Sequence, residues 1–428
     1  MHIAWLGKKT PFCGNVTYGR EVTNALLERG HRISFFHFER EDEARKRGNS
    51  CPDSQMGPSI PHHALSDLPL NSPLKQSKPH NSEPHDSEPH DSEPYDISVP
   101  YLYKSQIYTV PSVQSVKVLV NALKRLKPDV VHASLTLSFV DFLLPKLCAD
   151  LGIPLVATFH PPFDDKRRSL TSLSQHVIYQ IYAPFLAHYE QVIVFSNIQR
   201  DLLIRLGVPA KTVTIIPNGV DVEKYAPGPS DIKRQLNAER LFVYQGRLSI
   251  EKNVAALLRA WKASNLGLAC KLAIVGDGPL ASSLMDAYPS SDDLIWLGFV
   301  EDEQERINIL RGADVFILPS QIEGLSLSLL EAMACGAACL ATDAGADGEV
   351  LEDGAGIILS ADQVEDQLMT LLPMCREQLD LTMLLGQKAR QRVLDRYTLS
   401  RNISQVEEMY TQVVRQQQML YFNEAKAI

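Results

Sequence analysis

Two glutamates, Glu323 and Glu331, bracket the stretch EGLSLSLLE, in which every residue between them is small or apolar. Carboxylates at this spacing could form an acid/base pair, a ligand clamp, or two ordinary acids on a helix. If both were helical, eight residues would part them by about 12 Å along the axis and about 80° around it. Glycosidase pairs sit roughly 5 to 9.5 Å apart, which disfavours a hydrolytic dyad. A helix that starts between Leu325 and Ser328 and ends at Gly336 fits a different chemistry. Its free amides would face a phosphate, and Gly324 would permit close approach. Glu323 before the helix and Glu331 a turn or two inside it would then accept hydrogen bonds from sugar hydroxyls, as a nucleotide diphospho-sugar requires. On spacing alone, Glu323 as a helix-dipole partner and Glu331 as a surface acid remain open.

Other loops hold residues of related chemistry. GRLSIEKN places Arg247 and Lys252 in a turn leading into a helix, where two cations suit a diphosphate and an ordinary solvated turn is the alternative. GDGPLASSL, from Gly276, resembles a dinucleotide fingerprint, but no convincing strand-end acid follows about 20 residues on. It signifies either close backbone approach to a ligand or turn chemistry. The glycine-rich DAGADGEV supplies Glu349 and, by itself, only loop flexibility. In the first half, a loop with Gly14 leads into a helix expected near Val16 or Thr17. GKKT lacks the earlier glycine of a phosphate-binding loop. His160, in TFHPPF, ends a strand before two stiffening prolines and can face a cleft, or simply be packed or solvated.

These loops need strands to hold them. HIAWL, RISFFHF, DVVHAS, PLVATF, QVIVF and TVTII in the first half are continuous apolar runs, matched in the second by LFVYQG, KLAIVG, LIWLGF, DVFILPS, ACLATD and GIIL. Such runs mark strands covered on both faces, as in parallel sheets flanked by helices. The predicted fold class is α/β, with two doubly wound domains, residues 1–222 and 223–398, and a terminal helical segment 399–428. Val406, Met409, Tyr410 and Val413 form its apolar stripe. Residues 39–98, charged, Pro-rich and ending in SEPHDSEPHDSEPYD, are expected to be a disordered insertion in the first domain. His80, His85 and His90 within it read as spacer rather than metal ligands.

At 428 residues the chain exceeds what one core usually supports. No run of about 18 uncharged apolar residues predicts a membrane span, and HIAWLG carries no export leader. The seven cysteines are scattered, as expected of thiols in a reducing cytosol. Cys335 and Cys339 have no second pair to complete a metal site and read as small buried hydrophobes. Charge is uneven along the chain. The first 225 residues without the insertion carry +7, the insertion −6 and the remainder −10, within a net charge of −9.

In their order along the chain, TFH, PNGVD, GRLSIEKN, IVGDGP and EGLSLSLLEAMACG resemble the family-4 retaining glycosyltransferases of the GT-B fold, two Rossmann-like domains facing across a cleft. The resemblance spans essentially the whole chain outside the insertion. It implies that Arg247 and Lys252 hold the donor diphosphate and stabilise the departing nucleotide. Glu331 would bind ribose, Glu323 the transferred sugar, and His160 would contact that sugar from the first domain. Gly14, Gly324, Leu325 and Ser326 would lie beside the donor, with Gly276 and Phe299 bordering the base. No cofactor or metal is implied, the donor being a UDP-sugar, and the final helix would cross back to the first domain. Many members have Phe-Gly where this chain has Leu325-Ser326, which bears on donor identity.

Within the family, GKKTPFCGNVTYGREVTNALLERGH and the EGLSLSLLEA variant are similar to cyanobacterial-type digalactosyldiacylglycerol synthases. That implies galactose transfer from UDP-galactose to monogalactosyldiacylglycerol by a peripheral protein on the cytoplasmic side of a thylakoid or plasma membrane. Partners would be a nucleotide sugar, a glycolipid and an anionic membrane surface, not nucleic acid. Lys166, Arg167 and Arg168, with Tyr179, Tyr182, Phe185 and Tyr189, are candidate membrane contacts, though a helix packed in the first domain is the favoured reading of the aromatic stretch. UDP-glucose with another lipid or a soluble acceptor is the alternative, and an NAD-dependent oxidoreductase a remote one.

Overall fold

A computed structural model describes residues 1–9, 14–39, 95–104, 108–135, 137–162 and 170–427. The first sheet contains β1 (His2–Gly7), β2 (Arg32–Glu39), β3 (Tyr95–Lys104), β4 (Thr109–Pro111), β5 (Val130–Leu135), β6 (Leu155–Phe159), β7 (Gln191–Val194) and β8 (Val213–Ile215). Its order is β4-β3-β2-β1-β5-β6-β7-β8, parallel except where β4 runs against β3. The second contains β9 (Arg240–Gln245), β10 (Cys270–Val275), β11 (Leu294–Gly298), β12 (Val315–Leu318), β13 (Ala338–Thr342) and β14 (Ile357–Leu359), ordered β11-β10-β9-β12-β13-β14 and wholly parallel.

The apolar runs become these strands because both faces are covered: β1, β5, β6, β10, β12 and β13 are buried at every residue. Helices α1 (Gly14–Glu28), α2 (Val113–Leu126), α3 (Phe139–Leu151), α4 (Leu170–Leu186) and α5 (Asn197–Arg205) belong to the first unit. The second has α6 (Ile232–Gln235), α7 (Val254–Ser264), α8 (Ala281–Ala287), α9 (Glu303–Gly312), α10 (Leu327–Cys335), α11 (Asp347–Leu351), α12 (Val364–Glu377) and α13 (Leu379–Arg396).

The long α14 (Leu399–Ala427) returns to the first unit. Val406, Met409, Tyr410 and Val413 are buried, and Glu407 pairs with Arg29 at 2.5 Å and with His31 at 2.8 Å. Where the chain crosses between units, two segments run side by side: Val220 N–H donates to Tyr397 O and Leu399 N–H to Val220 O. Gly219 permits this, since a Cβ there would lie 2.7 Å from both Leu399 Cα and Thr398 O.

Several expectations need correction. Helix α1 starts at Gly14, two or three residues early. Glu39 ends β2 and Tyr95–Ser98 open β3, so the interruption is narrower than 39–98. Residues 40–94, with His80, His85 and His90, lie outside the described residues, as do Lys166, Arg167 and Arg168. Of the two readings of the aromatic stretch, the packed one holds for Tyr179, Tyr182 and Tyr189, whose rings pack inward and whose hydroxyls bond to Pro161 O, Asp141 Oδ2 and Asp141 O. Only Phe185 of the four is exposed. Cys335 and Cys339 are buried free thiols.

Candidate active site

The carboxyl ends of both sheets open on a cleft of about 910 Å³. Gly14, His160, Arg247, Lys252, Gly276, Phe299, Glu323, Gly324, Leu325, Ser326 and Glu331 all line it, so the structure brings every sequence-derived site residue together.

Helix α10 organises the donor-side wall. Ser326 is its N-cap, accepting from Leu329 N–H at 3.3 Å, and Gly336 closes its far end at φ 85°. Leu327 and Ser328, whose first-turn amides have no acceptor within the helix, line the cleft. Glu323 lies outside the helix and Glu331 is its fifth residue, so the carboxylates do flank the helix start. Glu323 forms an ion pair with Lys252 and accepts from Ser320 Oγ at 2.8 Å.

Loop packing holds these groups. A Cβ on Gly276, at φ 135°, would lie 1.9 Å from Gly246 O, and one on Gly278 2.4 Å from Leu248 O. Gly276 N–H donates to Gly298 O at 2.7 Å and Gly246 N–H to Val275 O at 2.9 Å. The glycines of GDGP thus serve close approach between loops, including the turn that bears Arg247. DAGADGEV likewise braces the Glu323 loop: Ala346 N–H donates to Gly324 O, and Ser326 N–H to Asp347 Oδ1. Burial, reinforced by nearby Glu323, holds the Asp347 carboxyl well above the usual range. Gly324 is less constrained than expected; a Cβ there would make an ordinary 3.7 Å contact with His160 O.

Glu331 accepts from Gln245 Nε2 at 2.9 Å. Burial pushes its pKa up to about 7, outweighing the opposing Arg306 guanidinium and Gln245 hydrogen bond. Arg247 is exposed in the cleft and makes no ion pair among the described residues. Two cations, free helix amides and two flanking carboxylates can hold a diphosphate between hydroxyl-bearing groups.

The opposite wall is aromatic around His160 and also presents Arg20 and Glu21 of α1. His160 follows β6 directly, is buried, and meets Tyr18 edge-on at 5.2 Å. Ser134 Oγ lies 2.8 Å from its Nε2. Burial, helped by Lys8, lowers the His160 pKa to about 3, so the imidazole is neutral near pH 7. Behind it, His132 bonds through Nε2 to Thr158 Oγ1 at 2.8 Å and through Nδ1 to the Tyr410 hydroxyl at 2.5 Å. The returning helix is thereby tied to the first-unit wall of the cleft.

Sequence reasoning missed Asn218, Gln245, Arg306 and Asp347 as site residues. Asn218 Nδ2 donates to Leu325 O at 3.0 Å, while the buried Asn218 Oδ1 and Gln245 Oε1 have no hydrogen-bond partner among the described residues and both residues line the cleft. Such orphan acceptors can take ligand hydroxyls. PNGVD had flagged Asn218's neighbourhood; no sequence signal distinguishes Gln245 from any strand-end polar residue.

Comparison with known proteins agrees with this geometry. Residues 14–224 match the family described as Glycosyltransferase Family 4, and residues 230–392 that described as Glycosyl transferases group 1. The UDP-Gal:alpha-D-GlcNAc-diphosphoundecaprenol alpha-1,3-galactosyltransferase of Escherichia coli is 28% identical over 74% of this chain and 83% of its own length. The alpha-monoglucosyldiacylglycerol synthase of Streptococcus pneumoniae is 25% identical over 51% of this chain and 52% of its own. The crystal structure of Anabaena HepE in complex with UDP-glucose superposes with a TM-score of 0.69, at 16% identity, covering 96% of this chain and 100% of that one. These matches overturn the oxidoreductase alternative, which the loop-packing role of Gly276 and Gly278 also leaves without support.

Proposed function

The chain belongs to the GT-B glycosyltransferases, its first half to Family 4 and its second to group 1, and from that premise we propose that it moves galactose from UDP-galactose to a membrane glycolipid with retention of anomeric configuration. The favoured acceptor is monogalactosyldiacylglycerol, giving the digalactosyl lipid. The observation that carries this reading is the convergence of Arg247, Lys252, the α10 amides, Glu323 and Glu331 on one cleft. The E. coli relative supports it, since its name specifies UDP-Gal and a lipid-linked acceptor.

In this reading the α10 amides and the two cations take the diphosphate, Glu331 the ribose hydroxyls and Glu323 the sugar. As the bond between anomeric carbon and diphosphate oxygen breaks, negative charge grows on the leaving UDP. Lys252 and Arg247 meet that charge in a site already assembled around it. The Lys252–Glu323 ion pair places the cation next to the sugar carboxylate before any donor arrives. Neutral His160 supplies a hydrogen bond to the sugar, not a charge. No metal or other cofactor has a part in this scheme. Among the described residues no helix is long and apolar enough to cross a membrane, consistent with peripheral attachment.

Leu325-Ser326 favours a second reading, UDP-glucose with another acceptor, because a buried leucine there shapes the sugar-side pocket. A donor-by-acceptor assay separates the two: UDP-galactose with galactolipid should give the disaccharide lipid, with the new linkage read by NMR. Transfer from UDP-glucose alone, or to soluble sugars alone, would reject the favoured reading.

A further inference from the structure

Helix α4 runs from Leu170 to Leu186 without one Lys, Arg, Asp or Glu. Its inner face holds the buried Tyr179, Tyr182 and Leu186. Its outer face should be polar in a helix that only meets water, yet Val177, Ile181 and Phe185 are 44%, 51% and 38% exposed. Spaced by four, these residues form one stripe. Phe142 of α3 packs 4.8 Å from the Phe185 ring, and Phe139, one turn earlier on α3, is 63% exposed. The exposed apolar surface therefore continues from α4 onto α3.

The next helix in this layer, α2, packs against α3 and carries the complementary feature. Lys117, Lys124, Arg125 and Lys127, at its end, are all exposed, and residues 113–127 contain no acid. An uncharged aliphatic and aromatic strip in the same layer as a helix whose cations form no ion pair among the described residues is the composition of a surface that enters the headgroup layer of an anionic bilayer. A second copy pairing through this same face would bring the same acid-free α2 and supply no counter-charge for it.

We propose that the outer face of α4, with Phe139, seats the protein on an anionic bilayer, Val177, Ile181 and Phe185 entering the interfacial layer and the α2 cations meeting lipid phosphates. The proposal rests on the glycolipid reading above for its purpose, but not for its test. It retains Phe185 and replaces the buried Tyr179 and Tyr182 with residues on the opposite face of the same helix.

The test is co-sedimentation of the full chain with vesicles of neutral phosphatidylcholine, alone or mixed with anionic phosphatidylglycerol. Wild type should bind the anionic vesicles preferentially. Val177→Asp with Ile181→Asp should weaken that binding at least tenfold, and Lys124→Glu with Arg125→Glu should abolish the preference for anionic lipid. Both variants should retain wild-type transfer to detergent-solubilised galactolipid. Ile181→Trp, which keeps the surface apolar, should show a blue-shifted emission on anionic vesicles. Wild-type binding by the double-aspartate variant, an unshifted Ile181→Trp spectrum, or a solution dimer that the aspartates dissociate would each overturn the proposal. Vesicle binding with transfer only to soluble sugars would reject the glycolipid reading and leave this surface standing; lipid transfer in detergent with no vesicle binding would do the reverse.

Discussion

The two walls of the cleft solve different problems. The donor-side wall gathers Arg247, Lys252, Glu323, Glu331 and Arg306, and braces them with backbone contacts between glycine loops. The acceptor-side wall presents His160 and Tyr18 over a buried His132–Thr158–Tyr410 chain. Burial keeps both histidines neutral near pH 7, with pKa values lowered to about 3. In the proposed scheme the first wall meets charge that changes during reaction, and the second positions the sugar through a neutral His160. Breaking the first should alter turnover and pH dependence, whereas breaking the second should alter positioning and stability.

The sharpest break is Lys252→Ala. Losing a preorganised cation at the leaving diphosphate should lower kcat by roughly 10²–10³-fold with a smaller change in donor KM, as steady-state kinetics would show. A change confined to KM would assign Lys252 to ground-state binding alone.

Next comes Glu331, whose pKa is pushed up to about 7. If Glu331 takes the ribose hydroxyls as a carboxylate, donor KM should rise as pH falls through 7, reaching about ten times its pH 8 value at pH 6, where about a tenth is ionised. Glu331→Gln should flatten that limb. The sign for stability is opposite: the folded ligand-free protein binds the proton more tightly than the unfolded chain. Its stability should therefore fall between about pH 4.5 and 7, and less so in Glu331→Gln, as urea unfolding across that window would reveal. His160→Asn should leave the pH profile unchanged, because His160 is already neutral across this range.

On the other wall, Tyr410→Phe removes the partner of His132 Nδ1 and should cost about 1 kcal/mol in denaturant unfolding. Ser134→Ala, which frees His160 Nε2, should have the smallest effect, a few-fold loss in kcat with the pH profile unaltered. A changed profile would mean that Ser134 sets protonation rather than orientation.

The donor-side wall was the more legible in sequence, for physical reasons. Its residues sit in short loops between strand and helix, so spacing along the chain nearly fixes spacing in the fold; the helix start between Glu323 and Glu331 is the clearest case. The strands were legible because burial on both faces writes itself as unbroken Val, Ile and Leu. The β3–β4 edge was not, since DISVPYLYK and TVP alternate with polar residues and follow a long core-poor segment. Asn218 and Gln245 escaped because their significance lies in unpartnered oxygens, which only packing reveals. The tyrosines of α4 were left between two readings because an aromatic helix without charge reads alike whether its rings face a bilayer or a core. His132 with Tyr410 joins residues 278 positions apart, beyond any local pattern.

The central claim is that this cleft binds a nucleotide sugar through a donor-side wall whose ribose contact is an ionisable Glu331. Calorimetric titration of the full chain with UDP at pH 8 and pH 6 tests it most directly. The account predicts binding at both, about tenfold weaker at pH 6. Equal affinity at the two pH values, or no UDP binding at either, would contradict it.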